Sequence, residues 1–101
     1  MTSSDLKLLS INQINEGLTK CPSWALEDNG RTLVRSLQFD DFRRAVDFLN
    51  EVAKISEFED HHPDLRLFNF KNLEIRLTTH SVNGLTRIDF DVAEGIDNLK
   101  S

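Results

Sequence analysis

The stretch LRLFNFKNLEIRL, Leu65 to Leu77, decides the architecture, because within it the apolar residues recur at every second position. Phe68 and Phe70 alternate on one run, and Leu73, Ile75 and Leu77 on the next. Side chains along a strand point to opposite faces in turn, so each run presents one apolar face and the two read as an antiparallel hairpin. Lys71-Asn72 is the simplest two-residue joint, since Asn tolerates the left-handed backbone that such a turn needs. That joint sets Phe70 opposite Leu73 and Phe68 opposite Ile75, with all five apolar side chains sharing one face.

Upstream, WALEDNGRTLVRSLQF (Trp24 to Phe39) reads as a second pair of strands joined at Asn29-Gly30, the pair best suited to a type I′ turn. Helical spacing accounts for the rest. Ser10 and Gln13 stand in capping-box spacing ahead of Ile11, Ile14 and Leu18, which predicts a helix over 11–20 that Cys21-Pro22 ends. Asp40 or Asp41 caps a longer helix whose Phe42, Ala45, Val46, Leu49, Val52 and Ala53 recur at three- and four-residue steps. Thr86 and Asp89 repeat the capping spacing before Val92, Ala93, Ile96 and Leu99. With no internal repeat or linker, residues 1–101 read as a single domain. The order αββαββα predicts an α+β two-layer sandwich, a four-stranded antiparallel sheet with its helices on one face and the other face open to solvent or a partner subunit.

Composition narrows the function. The chain of 101 residues is 39% apolar, carries seven phenylalanines and has a net charge of −5. Its only basic pair is Arg43-Arg44, which argues against direct nucleic-acid binding, where clustered charge must neutralise phosphates. No apolar run reaches the length of a membrane span, and MTSSDLKLLS lacks the apolar core of a signal peptide. Cys21 stands alone and forms no internal disulfide, so the expected location is the cytoplasm.

The chemistry concentrates in EFEDHHPDLRLFNF, Glu57 to Phe70, where His61 and His62 stand side by side before Pro63. In the hairpin register above, the third histidine, His80, falls opposite Pro63. All three imidazoles then meet at one end of the sheet. Three readings of the cluster remain open on the residues alone. Imidazoles are good metal ligands, but adjacent histidines rarely aim at one point and no cysteine joins them. They are also common as exposed loop groups or as partners of a helix C-terminus. Acid/base catalysis is the third reading, since imidazole both gives and takes a proton near neutrality.

The run from Glu57 through Asp60 to His61-His62-Pro63, the aromatics Phe68 and Phe70, LTTH ending at His80, and GLT-RIDF with Asp89 resembles the pterin-4a-carbinolamine dehydratase family, also called 4a-hydroxytetrahydrobiopterin dehydratase. The likeness covers nearly the whole chain and includes the F-x-D-F-x-x-A entry to the second helix at Phe39 to Ala45. It implies elimination of water from a pterin hydroxylated at C4a, giving the quinonoid dihydropterin and so recycling the cofactor of aromatic amino acid hydroxylases. It implies neither a redox cofactor nor a metal. By position, His61 and His80 would be the acid/base pair, with His62 holding the substrate. Pro63, Thr78, Thr79 and Ser81 would line the pterin. Asp89 would orient or tune a histidine, beside its plain role as a helix cap with Thr86, and Glu57 and Asp60 would raise imidazole basicity or be solvated helix-end charges.

One departure stands out: many relatives carry a tryptophan shortly after His-His-Pro, where this chain has DLRLF with Leu65. An aliphatic wall would cover a pterin face without aromatic stacking, and Trp24, in the first hairpin, reads as a core or interface residue. The resemblance also implies a homodimer or homotetramer. For animal relatives it implies a further role as dimerisation cofactor of a homeodomain transcription factor, with a nuclear as well as a cytoplasmic location, so a protein-interaction module is the alternative function.

Overall fold

The computed structural model describes residues 6–99. The elements follow the expected order: α1 (Ile11–Lys20), β1 (Ala25–Glu27), β2 (Thr32–Gln38), α2 (Phe42–Glu59), β3 (Asp64–Phe68), β4 (Asn72–Leu77) and α3 (Arg87–Asp97). A short 3-10 turn, His80–Val82, stands between β4 and α3. The strands form one antiparallel sheet in the order β1-β2-β4-β3.

Local chemistry explains where the helices begin. At α1 the Gln13 amide N–H donates to the Ser10 hydroxyl (3.2 Å), and the Ser10 N–H donates to the Gln13 side chain (2.8 Å). Two of the amides that a helix N-terminus leaves unpaired are thereby satisfied. Asp41 satisfies one such amide of α2, accepting from the Arg44 N–H at 2.8 Å. The helices cover the sheet face that carries Leu33, Leu73, Ile75 and Leu77, all at most 1% exposed. Onto these pack Phe48 and Val52 of α2, Val92 and Ile96 of α3, and Ile14 of α1. Burying each large aliphatic side chain contributes about 1.5–3 kcal/mol. At Gly17 a β-carbon would lie 2.4 Å from the Phe90 ring, so α1 approaches α3 as closely as it does only because that residue has no side chain.

Two turns differ from the sequence reading. In the first hairpin Glu27 pairs with Thr32, so the loop holds four residues rather than two, and the left-handed backbone begins at Asp28 and Asn29 before Gly30. In the second hairpin the joint lies earlier than Lys71-Asn72. Phe68 pairs with Asn72, and Asn69 and Phe70 take positive φ (48° and 54°) in a three-residue loop. The register is thus displaced by three positions, an odd number, which turns β3 over. Leu65 and Leu67 face Ile75 and Leu73 on the core side, while Phe68 and Phe70 are exposed. The observed register also sets Asp64 against Arg76 and Arg66 against Glu74. The Arg76 guanidinium reaches across to Glu27 and Asp28 of the first hairpin, each at 2.9 Å. The Lys71-Asn72 joint would instead set Leu67 against Arg76.

Phe70 carries a cost here, because a bulky residue at positive φ is strained by about 1–2 kcal/mol. Its ring is 59% exposed and contributes little burial in return. Phe70→Gly is therefore expected to raise the unfolding free energy by about 0.5–1 kcal/mol, after the entropic cost of glycine, read as a higher urea midpoint at unchanged slope. An unchanged or lower midpoint would show that the ring stabilises more than its exposure suggests.

Cys21 is fully buried, and burial pushes its thiol up to about 11, with Asp97 adding to the effect. At neutral pH it is a packed apolar group rather than a nucleophile. No helix among the described residues is long and apolar enough to cross a membrane.

Candidate active site

The end of α2 delivers the paired histidines. Its last turn closes on Asp60, a left-handed residue (φ 52°, ψ 43°), and the His61 N–H reaches back to the Ser56 carbonyl at 3.0 Å. This is the Schellman arrangement, and it satisfies a carbonyl that the helix end would leave free. Pro63 then keeps His62 out of helical backbone, so the chain leaves in extended form and enters β3 at Asp64. His61 and His62 depart in different directions. The His61 ring turns inward, with its side chain 13% exposed and its Nε2 2.6 Å from Asp89 Oδ1. The His62 ring stays in solvent, where its Nε2 meets the Glu57 carboxylate, itself largely exposed.

Asp89 is the centre of the buried polar arrangement. It sits in the first turn of α3 and is fully buried. Its Oδ2 accepts from the Thr86 N–H (2.9 Å) and from the Thr79 hydroxyl (2.7 Å), while Oδ1 meets His61. Thr79 and Thr86 also join through their hydroxyls at 2.9 Å, and both are nearly or wholly buried. A buried carboxylate holding three hydrogen bonds is satisfied in its ionised form. The capping spacing of Thr86 and Asp89, legible in the sequence, is half of this arrangement. The other half, Asp89 joined to residues 28 positions before it and 10 positions before it, has no local signal.

His80 arrives by a different route from direct cross-strand pairing. β4 ends at Leu77, and in the displaced register Pro63 is not opposite position 80. Instead Thr79 and Gly84 pair backbone to backbone, and His80 begins the 3-10 turn that they enclose. The His80 ring is exposed and lines a cavity of about 510 Å³ with Thr78, Asn83 and the β1–β2 loop residues Asp28, Asn29, Arg31 and Thr32. The Thr78 hydroxyl donates to the Arg31 carbonyl at 2.6 Å, fastening that loop to the end of β4. The Asp28 carboxyl is held below the usual carboxylate range by the Thr32 hydroxyl and by Arg76. The link between His61 and His80 is thus Asp89 to Thr79, the residue next to His80.

The other expected residues are distributed as follows. Ser81 is exposed beside His80, and Pro63 is half-buried beside His62. The hydroxyl of Thr79 is engaged inside the protein. Asp60 caps α2 and hydrogen-bonds no imidazole among the described residues, whereas Glu57 meets His62. Leu65 packs against the core rather than forming a wall of the site. Trp24 is 4% exposed, with its indole N–H donating to Asp97 at 2.9 Å, and is a core residue. No group of three or more His, Cys, Asp and Glu side chains among the described residues is arranged to hold a metal ion.

The chain is similar to known proteins along most of its length. The family model described as pterin 4 alpha carbinolamine dehydratase matches residues 7–99. A Sulfurisphaera tokodaii protein named for that activity is 36% identical over 94 residues, covering 93% of this chain and 98% of its own. An Arabidopsis thaliana protein named pterin-4-alpha-carbinolamine dehydratase 2, mitochondrial, is 36% identical over 100 residues, covering 97% of this chain and 54% of its own. Among solved structures, the transcriptional coactivator/pterin dehydratase from Brucella melitensis superposes with a TM-score of 0.81 at 33% identity, over 90% of this chain and 96% of that one. The family model, the sequence relatives and the fold agree, and the chain belongs to the pterin-4a-carbinolamine dehydratase family.

Proposed function

We propose that residues 1–101 are one catalytic domain that eliminates water from a 4a-hydroxytetrahydropterin, the form a pterin takes after an aromatic amino acid hydroxylase has used it. The observation that carries the proposal is the largely buried hydrogen bond of His61 with Asp89, tied through Thr79 to the segment bearing His80 in a chain of this family. In the reaction the C4a–O bond breaks and the departing hydroxide takes a proton. N5 loses its proton, and the C4a–N5 bond becomes double. Water and the quinonoid dihydropterin result, with no change of oxidation state, so the residues need only move protons and hold the ring.

His61 and His80 serve as the acid/base pair, and Asp89 orients His61. His62, steadied by Glu57, holds the substrate from the solvent side, with Pro63, Thr78 and Ser81 against the ring and Asp60 shaping the turn that presents the histidines. The cavity beside His80 accommodates the flat bicycle or its substituent. A cytoplasmic location and a homodimeric or homotetrameric state belong to the same reading.

The test is the rate of dehydration of a synthetic 4a-hydroxytetrahydropterin, followed by absorbance. The wild type should accelerate it well above the uncatalysed reaction, and His80→Ala should lose at least about a hundredfold of the rate, the low end of what a positioned imidazole supplies. Equal rates for wild type, His61→Ala and His80→Ala would overturn the proposal.

A second reading is a protein-interaction module. The Brucella melitensis structure is described as a coactivator as well as a dehydratase, and α2 exposes Phe42 (55%) and Phe58 (87%), large apolar groups suited to contact with a partner. Under that reading the histidine variants would leave the protein's principal role intact.

A further inference from the structure

We infer that Thr79 is a positioning residue rather than a pterin contact, and that with Thr86 it holds Asp89 so that His61 exchanges the reaction's proton through Nδ1. The inference rests on the dehydratase reading above and adds an atom and two residues to it.

The argument starts from Asp89 Oδ2, which takes two donors, the Thr86 N–H and the Thr79 hydroxyl. Both donors are fixed by their backbones, Thr86 at the N-cap of α3 and Thr79 in its pairing with Gly84. The carboxylate therefore cannot rotate, and Oδ1 is aimed at His61. An ionised carboxylate only accepts, so the His61 nitrogen facing it, Nε2, carries the hydrogen. In the neutral ring Nδ1 is then the nitrogen with a free lone pair. It has no hydrogen-bond partner among the described residues, and the ring remains 13% exposed, enough for a substrate to reach one edge. The same Thr79 places the neighbouring His80 through its backbone, because the Thr79–Gly84 pairing closes the turn in which His80 stands. Thr79 thus sets both imidazoles without touching the pterin: its hydroxyl acts on His61 through Asp89, and its backbone on His80.

Nitrogen-15 NMR of histidine-labelled protein reads the tautomer directly. The wild type should show His61 protonated at Nε2 and free at Nδ1. Thr79→Val keeps the side-chain shape and removes the hydroxyl. It should lower kcat about tenfold to a hundredfold, leave KM within about twofold, move the pH profile of kcat, and give a mixture of His61 tautomers. Thr79→Ser, which restores the hydroxyl, should restore all four. A Thr79→Val enzyme with raised KM and normal kcat would mean that the hydroxyl binds substrate, and it would overturn the inference. So would a wild-type His61 protonated at Nδ1. The wild-type spectrum needs no variant to fold, so this arm stands by itself. If the wild type failed to dehydrate any pterin, the dehydratase reading would fall, while the spectrum would still decide the tautomer.

Discussion

Asp89→Ala is expected to lower the unfolding free energy by about 3–5 kcal/mol, a large share of the 5–15 kcal/mol that holds a domain of this size. The carboxylate is fully buried and accepts from His61, Thr79 and Thr86, all in the junction between β4, α3 and the end of α2. Alanine would strand the Thr86 N–H and loosen the Thr79–Thr86 hydroxyl pair, each orphaned group costing about 1–3 kcal/mol. Asp89→Asn separates this structural part from the chemical one. Its amide oxygen can still accept from Thr86 and Thr79, so the stability loss should be no more than about 1–2 kcal/mol. Its NH2 then faces His61 Nε2, which must accept, and the proton moves to Nδ1. The protein would stay folded with the wrong tautomer, and the dehydration rate should fall by about two to four orders of magnitude. Urea melts and single-turnover rates measure the two effects separately. An alanine variant within about 1 kcal/mol of wild type would mean that the carboxylate does not hold the junction together.

What could be read in the sequence was what is local. The caps at Ser10, Asp41 and Thr86 and the apolar spacing of all three helices depend on residues three or four positions apart, and the helices stand where that spacing predicts them, although Ile11, Phe42 and Ala53 of the spacing are exposed. Both hairpins exist: the first keeps the register that an Asn29-Gly30 joint sets, its loop merely one residue wider on each side, whereas the second is displaced from the Lys71-Asn72 register by three positions. Asn69 accepts left-handed backbone as readily as Asn72, and what separates the two joints is that the observed one sets Leu65 and Leu67 against Ile75 and Leu73 on the core side. That slip misplaced Phe68, Phe70 and Leu65 together, because an odd displacement reverses an entire strand. The partnership of Asp89 with His61, and the hydroxyl bridge from Thr79, join three separate segments. No spacing rule reaches across them, so the resemblance alone pointed to Asp89 acting on a histidine.

Trp24 supplies the second large effect and bears on substrate binding as well. The residue is 4% exposed, and Asp97 Oδ1 receives both its indole N–H (2.9 Å) and the Arg35 guanidinium (2.7 Å). Arg35 lies on the helix-covered side of β2, opposite Ile75, so Asp97 neutralises a charge that the sheet carries beneath the end of α3. Trp24→Ala would remove the largest side chain in this corner and leave a cavity, at a cost of about 3–5 kcal/mol by circular-dichroism melts. Trp24→Phe would keep most of the packing and lose one hydrogen bond, while Asp97 keeps Arg35. Its cost should be about 1–2 kcal/mol. Because the indole is committed to Asp97, it cannot supply the aromatic face that the family resemblance leads one to expect after His-His-Pro. On the dehydratase reading, the Trp24→Phe protein should therefore act on a 4a-hydroxytetrahydropterin with an unchanged KM. A KM raised tenfold in a stably folded Trp24→Phe protein would place the indole against the ligand and contradict the core role argued here.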